Sequence, residues 1–405
     1  MGFEVNKVVK PKLIADAGVE SLKQRAVASN LVTRNGFEQF TGIENDTVNV
    51  RVKGALPVRE YAWKNDRSKP LVTDTFQDTV VQVKIEPTRN YSAVKLRDEE
   101  KLFDFDGAWG DIFARQTEAL TDYNEKRILS HIVSAPYERQ IVIDGTAKGI
   151  KDQIALNRDN IFNAIVDAKS DLRKMRAPGM DYVCLVGSGL ASEIQKSQKL
   201  VTATGNGDTA LSQATLGTIA GVQVVESPWL PAYEGYIFSK SGFVFYNAAP
   251  PVPNSAPFAA TAAAGGFALR WVMDYETSFA SDRSLFDTFV GYNYTRDLIE
   301  LQDADGIFHT SEDLYFVRGV KLVMKTEDVN ADAKDFKPGD GTASDLDLPG
   351  NKAGSYLALA YEGKLTEANA RKTNYFPGLA DVPGVMGTGE TSGAGSDTVT
   401  DNTGQ

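Results

Sequence analysis

The sequence is poor in the residues on which catalysis and metal binding most often depend. Its 405 residues include only two histidines, His131 and His309, and one cysteine, Cys184. Two histidines leave little room for a Ser-His-Asp triad and few ligands for zinc. Cys184 cannot form an internal disulfide, and it lies in the apolar run 182–186, where a buried core thiol is expected. We therefore predict neither a metal site nor redox chemistry.

Long hydrophobic runs are also absent. No stretch approaches the roughly 20 consecutive apolar residues that a membrane-spanning helix requires, and residues 1–7 lack the apolar block of a secretory signal peptide. We expect a protein that is made and kept in a cytoplasm. Because 42% of the residues are hydrophobic and 10% are aromatic, the composition is that of a globular protein with enough length for two or three cores.

An excess of basic residues is missing as well. The chain has 43 Lys and Arg against 54 Asp and Glu, a net charge of −11, and residues 326–405 carry 6 basic and 13 acidic residues. Phosphate backbones repel an acidic chain, and no stripe of Lys and Arg alternates with aromatic residues. We therefore expect no specific nucleic-acid binding, although such a protein can still lie next to nucleic acid.

Motifs for nucleotide chemistry are incomplete. Residues 187–189, Gly-Ser-Gly, follow a predicted strand as in a dinucleotide-binding turn, but Ser192 stands where the pattern G-x-G-x-x-G requires glycine. We interpret this segment as a tight strand-to-helix turn. The P-loop pattern is absent, and the acidic residues 99–100 and 303–305 are better explained as solvated charge than as a catalytic carboxylate pair. We predict no cofactor, and nothing in the sequence calls for an enzyme.

What the sequence does contain is a long predicted hairpin. Residues 48–63 and 80–97 both read as strands, and apolar and polar residues alternate in 48–52 and 81–85, as in a strand with one covered face. A two-stranded ribbon is marginal in water, so it needs a partner surface. That surface is either a neighbouring molecule or the hairpin's own domain. If it is a neighbouring molecule, the charged residues of the turn between the two predicted strands form a contact between subunits. These residues are Lys64, Asp66, Arg67 and Lys69.

Helical patterns follow the hairpin. Apolar residues recur at three- and four-residue steps over 104–133, which predicts a spine helix of roughly 40 Å. A compact α/β unit comes next, in which Asn157 or Asp159 caps a helix that ends at residues 178–179. Its further predicted elements are a strand at 182–186, a helix to about Leu200, strands at 222–226 and 236–239, and a third candidate strand at 243–246.

The last part of the sequence returns to strands. Residues 248–266 show no element signal, and three long aromatic-rich strands are then predicted to form an antiparallel sheet against the spine helix. Beyond residue 325 the composition indicates a loose appendage, which residues 356–361 and 375–377 could anchor. The three predicted strands cover residues 267–275, 286–295 and 314–324.

This order of elements resembles the major capsid protein of tailed bacteriophages, with the Hong Kong 97-like fold. The likeness covers about residues 1–325 and suggests a virus of actinobacteria. Particular segments are also similar to phage coat proteins, such as Asn-Leu-Val-Thr-Arg-Asn-Gly-Phe and Thr-Ile-Ala-Gly-Val-Gln-Val-Val-Glu-Ser. The segments that carry it are residues 30–37, 49–54, 182–189 and 218–227.

The resemblance implies an α+β fold with an N-terminal arm, an extended hairpin, a spine helix on a long antiparallel sheet, an α/β axial domain and an acidic Gly-rich extension. It divides the chain into six parts. These are an N-terminal arm at 1–45, the hairpin loop at 46–103, a peripheral domain at 104–158, the axial domain at 159–266, the peripheral return strands at 267–325, and the extension at 326–405.

The function implied is structural. Copies of the chain would form hexamers and pentamers of an icosahedral head that encloses double-stranded DNA without binding it specifically, in a virion assembled in a bacterial cytoplasm. Because the sequence starts at Met1, we expect no cleaved assembly domain and hence a separate scaffolding protein, besides a portal. Some relatives join Lys to Asn covalently, but Lys64 and Lys69 are interpreted as solubilising tip charges.

Two other functions fit the same residues. One is an encapsulin-like compartment shell, which needs a cargo-peptide pocket. The other is a soluble α/β binding protein, or a hydrolase with few cofactors, whose hairpin packs internally. The second alternative predicts a stable monomer.

Overall fold

The computed structural model describes residues 11–35, 47–52, 79–84, 89–98, 109–144, 151–195, 215–256, 258–302, 308–311, 313–326, 328–341 and 348–363. Two six-stranded sheets and a long helix dominate these ranges. The helices are α1 (Pro11–Arg25), α2 (Ala28–Leu31), α3 (Trp109–Ser134), α4 (Lys151–Lys174), α5 (Ser188–Gln195) and α6 (Tyr356–Glu362).

The first sheet is mostly antiparallel and runs in the order β1-β10-β13-β12-β11, with β4 also paired to β13. The 14-residue strand β13 is its centre, since it pairs with three other strands. The strands are β1 (Thr33–Asn35), β4 (Asn90–Arg97), β10 (Phe243–Ala248), β11 (Phe258–Ala264), β12 (Phe267–Glu276) and β13 (Ser281–Tyr294).

The second sheet is mixed and has the order β5-β16-β9-β6-β8-β7. Strand β16 is parallel to β5 and antiparallel to β9. The strands are β5 (Gln140–Asp144), β6 (Tyr182–Val186), β7 (Thr215–Ile219), β8 (Val222–Glu226), β9 (Glu234–Ser239) and β16 (Gly319–Lys325). Two separate ribbons pair β2 (Thr47–Val52) with β3 (Thr79–Lys84), and β14 (Glu300–Gln302) with β15 (Phe308–Thr310).

The spine helix α3 packs on the first sheet, as predicted. The ring of Phe113 makes edge contacts with Trp271 and Phe286, at centroid distances of 5.4 and 5.9 Å. The amide of Gln116 donates to the carbonyl oxygens of Ser92 and Ser284, at 3.0 and 3.1 Å. Apolar packing and a buried amide therefore fix α3 against strands far away in sequence, which confirms the spine helix on an antiparallel sheet.

The second sheet is buried on both faces, and β6 shows how. Tyr182, Cys184 and Val186 lie in one core with α4, α5 and α6, whereas Val183 and Leu185 lie in the other core with α1, α3 and the first sheet. Side chains alternate between the two faces of a strand, so a strand buried on both reads as a continuous apolar run. The two cores thus lie on opposite faces of this sheet.

Three strand assignments from the sequence were wrong. The strand predicted at 314–324 appears as β16 and belongs to the second sheet, not to the antiparallel sheet under the spine. The candidate strand at 243–246 appears as β10, which pairs with β13 in the first sheet. Residues 248–266 do contain an element, since β11 pairs with β12 along seven residues. Local periodicity identifies a strand but not its partner.

The first and the last helix of the described part of the chain are both packed into a core. Ala15, Val19 and Leu22 of α1 are fully buried in the core that also contains α3 and the first sheet. Residues 11–35 of the arm are therefore packed on the subunit as far as β1, which runs parallel to β10. In the last described helix, Tyr356 and Leu357 of α6 are buried in the core that also contains α4 and α5. The suggested anchor at 356–361 is confirmed, whereas the suggested anchor at 375–377 lies outside the described residues.

One helix boundary differs from the prediction as well. Helix α4 begins at Lys151, so neither Asn157 nor Asp159 is its cap. The described part of the spine is Trp109–Ser134, and its predicted start at residue 104 lies outside the described residues. The six domain limits themselves stay predictions.

Candidate assembly interface

The hairpin is present as an antiparallel ribbon. Val48 lies opposite Val83, and Val50 lies opposite Val81. Within the described ranges no other strand is hydrogen-bonded to this ribbon, although β3 runs next to β13. The second limb was predicted to continue to residue 97, but β4 leaves the ribbon and pairs with β13. The predicted contact residues of the tip lie outside the described residues: Lys64, Asp66, Arg67 and Lys69.

A buried ion cluster holds the root of the hairpin. Asp287 of β13 is fully buried, and the guanidinium of Arg270 on β12 donates to both its oxygens, at 3.0 and 2.5 Å. Arg89, the residue before β4, adds a contact of 3.1 Å from its Nε to Oδ2 of Asp287. Arg270 also donates to the carbonyl oxygen of Pro251, at 2.5 Å. Through Arg89 the cluster contacts the chain just before β4, which itself pairs with β13 along eight residues.

Sequence reasoning did not find this cluster, although a signal was available. Arg270 and Asp287 are charges flanked by apolar residues in their strands, and they face each other directly in the β12–β13 register. A buried charge is tolerated only when it is paired and hydrogen-bonded. Two opposite charges in neighbouring buried strands therefore predict each other once the register is known.

A second buried carboxylate joins the N-terminal arm to the spine. Glu125 of α3 accepts hydrogen bonds from the backbone amides of Ala28 and Ser29, at 2.7 and 3.0 Å, and from the Ser29 hydroxyl. These amides open the short helix α2, whose N-cap residue Val27 has no capping side chain. Glu125 thus satisfies amides that a helix start leaves without partners. Burial nevertheless raises the pKa of Glu125 above its ordinary value.

A tight turn takes the place of the nucleotide motif. The amide of Gly187 donates to the carbonyl oxygen of Glu234 and that of Leu190 to the carbonyl oxygen of Ala232, at 2.9 and 2.8 Å. A Cβ on Gly187 would lie 2.0 Å from the carbonyl oxygen of Pro231, so only glycine allows this approach. The start of α5, where a phosphate would bind, is therefore filled by the chain's own backbone, as the strand-to-helix interpretation predicts.

The one cysteine and the two histidines of the chain lie in the core or in regular secondary structure. Cys184 is fully buried, and burial raises the pKa of its thiol to about 12, so it is a core thiol as predicted. His131 lies in the last turn of α3 and stacks on Tyr292 at a centroid distance of 5.1 Å. His309 lies in β15, paired with Leu301 of β14.

Two further findings concern only the described part of the chain. There, no group of three His, Cys, Asp or Glu side chains is arranged to hold a metal ion. Over the same ranges, no helix combines the length and apolar character needed to cross a membrane.

Comparison with known structures gives three examples of similar chains. A chain from Mycobacterium phage Che8 is 18% identical, with a TM-score of 0.46, and the match covers 74% of this chain and 91% of that one. A chain from the capsid of cyanophage P-SCSP1u is 12% identical, with a TM-score of 0.48 and coverages of 81% and 92%. A chain from the head of Helicobacter pylori bacteriophage KHP40 is 10% identical, with a TM-score of 0.46 and coverages of 81% and 95%.

Family comparison is decisive where pairwise similarity is low. No curated protein matches this chain. The family model described as phage capsid protein, however, matches residues 83–288, just over half of the chain. The match runs from the end of the hairpin ribbon through the spine helix and most of both sheets. The chain therefore belongs to the phage capsid protein family.

Proposed function

We propose that this major capsid protein forms hexamers and pentamers that close into an icosahedral head around double-stranded DNA. The observation that carries this proposal is the β2–β3 ribbon, rooted by the buried Asp287 cluster and hydrogen-bonded to no other described strand. A ribbon of this kind is marginal alone, and laying it over a neighbour would stabilise both partners. A closed shell repeats such a contact between all its subunits.

Charge supports the relation to DNA that we propose. The net charge of −11 would keep packaged DNA from adhering to the inner surface, so that the genome stays mobile. We further propose a separate scaffolding protein and a portal as partners, assembly in the bacterial cytoplasm, and a purely structural, non-enzymatic role. The acidic extension is proposed to lie exposed on the shell.

The tip of the hairpin is the proposed contact with the neighbouring subunit. Its four charged residues, Lys64, Asp66, Arg67 and Lys69, offer salt bridges and hydrogen bonds rather than apolar area. Such rim-type contacts set register and orientation more than affinity. Reversal of the two lysines should therefore disturb assembly while the subunit itself stays folded.

The test is electron microscopy with light scattering on the recombinant chain, alone and with co-expressed scaffolding protein. We expect shells, hexamers or pentamers from the natural sequence. Lys64→Glu with Lys69→Glu should reduce assembly at least tenfold without a change in circular dichroism. Lys337→Glu with Lys352→Glu makes the same charge change at two exposed sites away from the hairpin, and should assemble normally. A 44.0 kDa monomer under all conditions would support the soluble binding protein instead.

A further inference from the structure

An open apolar groove lies at the start of the spine helix. Its volume is about 760 Å³, and its apolar wall includes Ile14, Trp109, Phe113, Phe258, Trp271 and Met273. Phe258 remains 52% exposed. Exposed apolar surface concentrated in one concave place marks a binding site more often than scattered apolar residues do. The polar groups of the wall include two carboxylates, Asp274 and Asp282.

The chain itself contains a segment that suits this groove. Residues 1–10 precede α1 directly, and Ile14 in the first turn of α1 is part of the groove wall. Ten residues span up to about 33 Å when extended, so the segment can reach along the whole groove. It carries Phe3 and three valines for the apolar wall, and two lysines whose charge is opposite to that of the two wall carboxylates, of which Asp274 is already paired with Arg283. These residues are Phe3, Val5, Val8, Val9, Lys7 and Lys10.

We propose that residues 1–10 dock in this groove within the same chain. The alternative of a neighbour's hairpin tip fits less well, because residues 64–70 are charged and offer almost no apolar side chain. Docking of residues 1–10 would cover Trp109 and Phe113 beside the point where the spine begins. The proposal does not depend on shell formation, since it concerns contacts inside one subunit.

Dye binding tests whether the segment covers the groove. Unassembled subunits are titrated with the apolar dye bis-ANS, using the natural chain, a deletion of residues 1–10, and Phe3→Asp with Val8→Asp. Deletion and the double variant should each bind about one additional dye molecule per chain, and a synthetic peptide of residues 1–10 should displace it. Leu13→Ser is the matched control, because Leu13 is 60% exposed but is not part of the groove wall. Equal dye binding by the deletion and the natural chain would overturn the proposal.

Disulfide trapping tests whether the contact is made within one chain. Phe3→Cys is combined with Met273→Cys in the groove or, as a control, with Met180→Cys, which is 79% exposed at the second sheet. Cys184 does not interfere, because it is fully buried. Mild oxidation of dilute protein should give a monomer of altered mobility with Met273→Cys, at least tenfold faster than with Met180→Cys. Dimers, or equal rates for the two pairs, would contradict docking within the chain.

Discussion

Neutralising Asp287 should destabilise the subunit by far more than neutralising other charges of the same sheet. Asp287→Asn keeps the size of the side chain but leaves the buried guanidinium of Arg270 without its counter-charge. Side-chain exposures are 0% for Asp287 and 7% for Arg270, so solvent does not screen the pair. Breaking such a pair by removal of one partner costs about 3–5 kcal/mol. Arg89, which is 43% exposed, accounts for at most about 1 kcal/mol of that amount.

The same two strands provide a matched control. Arg283 and Asp274 also face each other across β12 and β13, in the same bidentate manner, but their side chains are 39% and 34% exposed. Asp274→Asn should therefore cost less than about 1 kcal/mol. Denaturant unfolding of both variants measures the free energies directly.

The reasoning also predicts how the buried pair behaves when both charges are removed. Arg270→Met with Asp287→Leu replaces the pair by apolar side chains and leaves no uncompensated buried charge. Its cost should be well below that of Asp287→Asn, because apolar replacement of a buried pair is often close to neutral. If Asp287→Asn unfolds within about 0.5 kcal/mol of the natural chain, the argument that burial makes this pair critical is refuted.

Three further predictions concern other buried groups. Glu138 is buried, and burial raises its pKa to about 7, although the Gly350 amide and Arg296 partly offset this increase. The folded state therefore binds more protons than the unfolded state between about pH 4.5 and 7. The free energy of unfolding falls as the pH rises through this window. Glu138→Gln removes this pH dependence. In urea unfolding, the free energy of unfolding of the variant relative to the natural chain should therefore increase by roughly 3 kcal/mol between pH 4.5 and 8. A difference that does not change with pH would contradict the raised pKa of Glu138 as its cause. Gly187→Ala should cost about 1–3 kcal/mol or more, because the added Cβ meets backbone oxygens. The control is Gly110→Ala in helix α3, where the added Cβ meets nothing within 4 Å, and this variant should be neutral or stabilising in the same unfolding assay. Equal effects of the two substitutions would count against the close backbone approach at Gly187. Glu125→Ala leaves the Ala28 and Ser29 amides without hydrogen-bond partners, which should cost about 2–3 kcal/mol. Hydrogen exchange should then accelerate more in residues 11–35 than in β6. An equal increase in both places would show that the arm does not depend on this carboxylate.

Local patterns predicted the spine helix and the strands β12 and β13 because each buries one continuous face. Phe113 and Gln116 lie on the helix face that meets the sheet, and Trp271 and Phe286 lie on the sheet face that meets the helix. A periodicity of 3.6 or 2 residues records this kind of burial directly. The α+β class and the capsid family were expected because the order of these elements resembles that of a known family.

Partner choice was harder to predict because it depends on contacts far apart in sequence. Strands β10 and β16 were recognised as strands, yet each was assigned to the wrong sheet. Strand β11 was missed because its alanines offer little contrast between its two faces. The capping of α2 by Glu125 joins residues about 100 positions apart, so no local capping signal exists at Val27.

Charge alone does not distinguish a solvated turn from a docking surface, and this limits what the hairpin sequence predicts. Lys64, Asp66, Arg67 and Lys69 form the same pattern in both cases. The hairpin can instead be tested at its other end, where Arg89, the residue before β4, contacts the buried Asp287. If the proposed contact with a neighbour depends on the direction of the ribbon, loss of the contact between Arg89 and Asp287 should weaken assembly. Asp287→Asn should therefore impair assembly even under conditions in which the subunit remains folded, and Asp274→Asn should not.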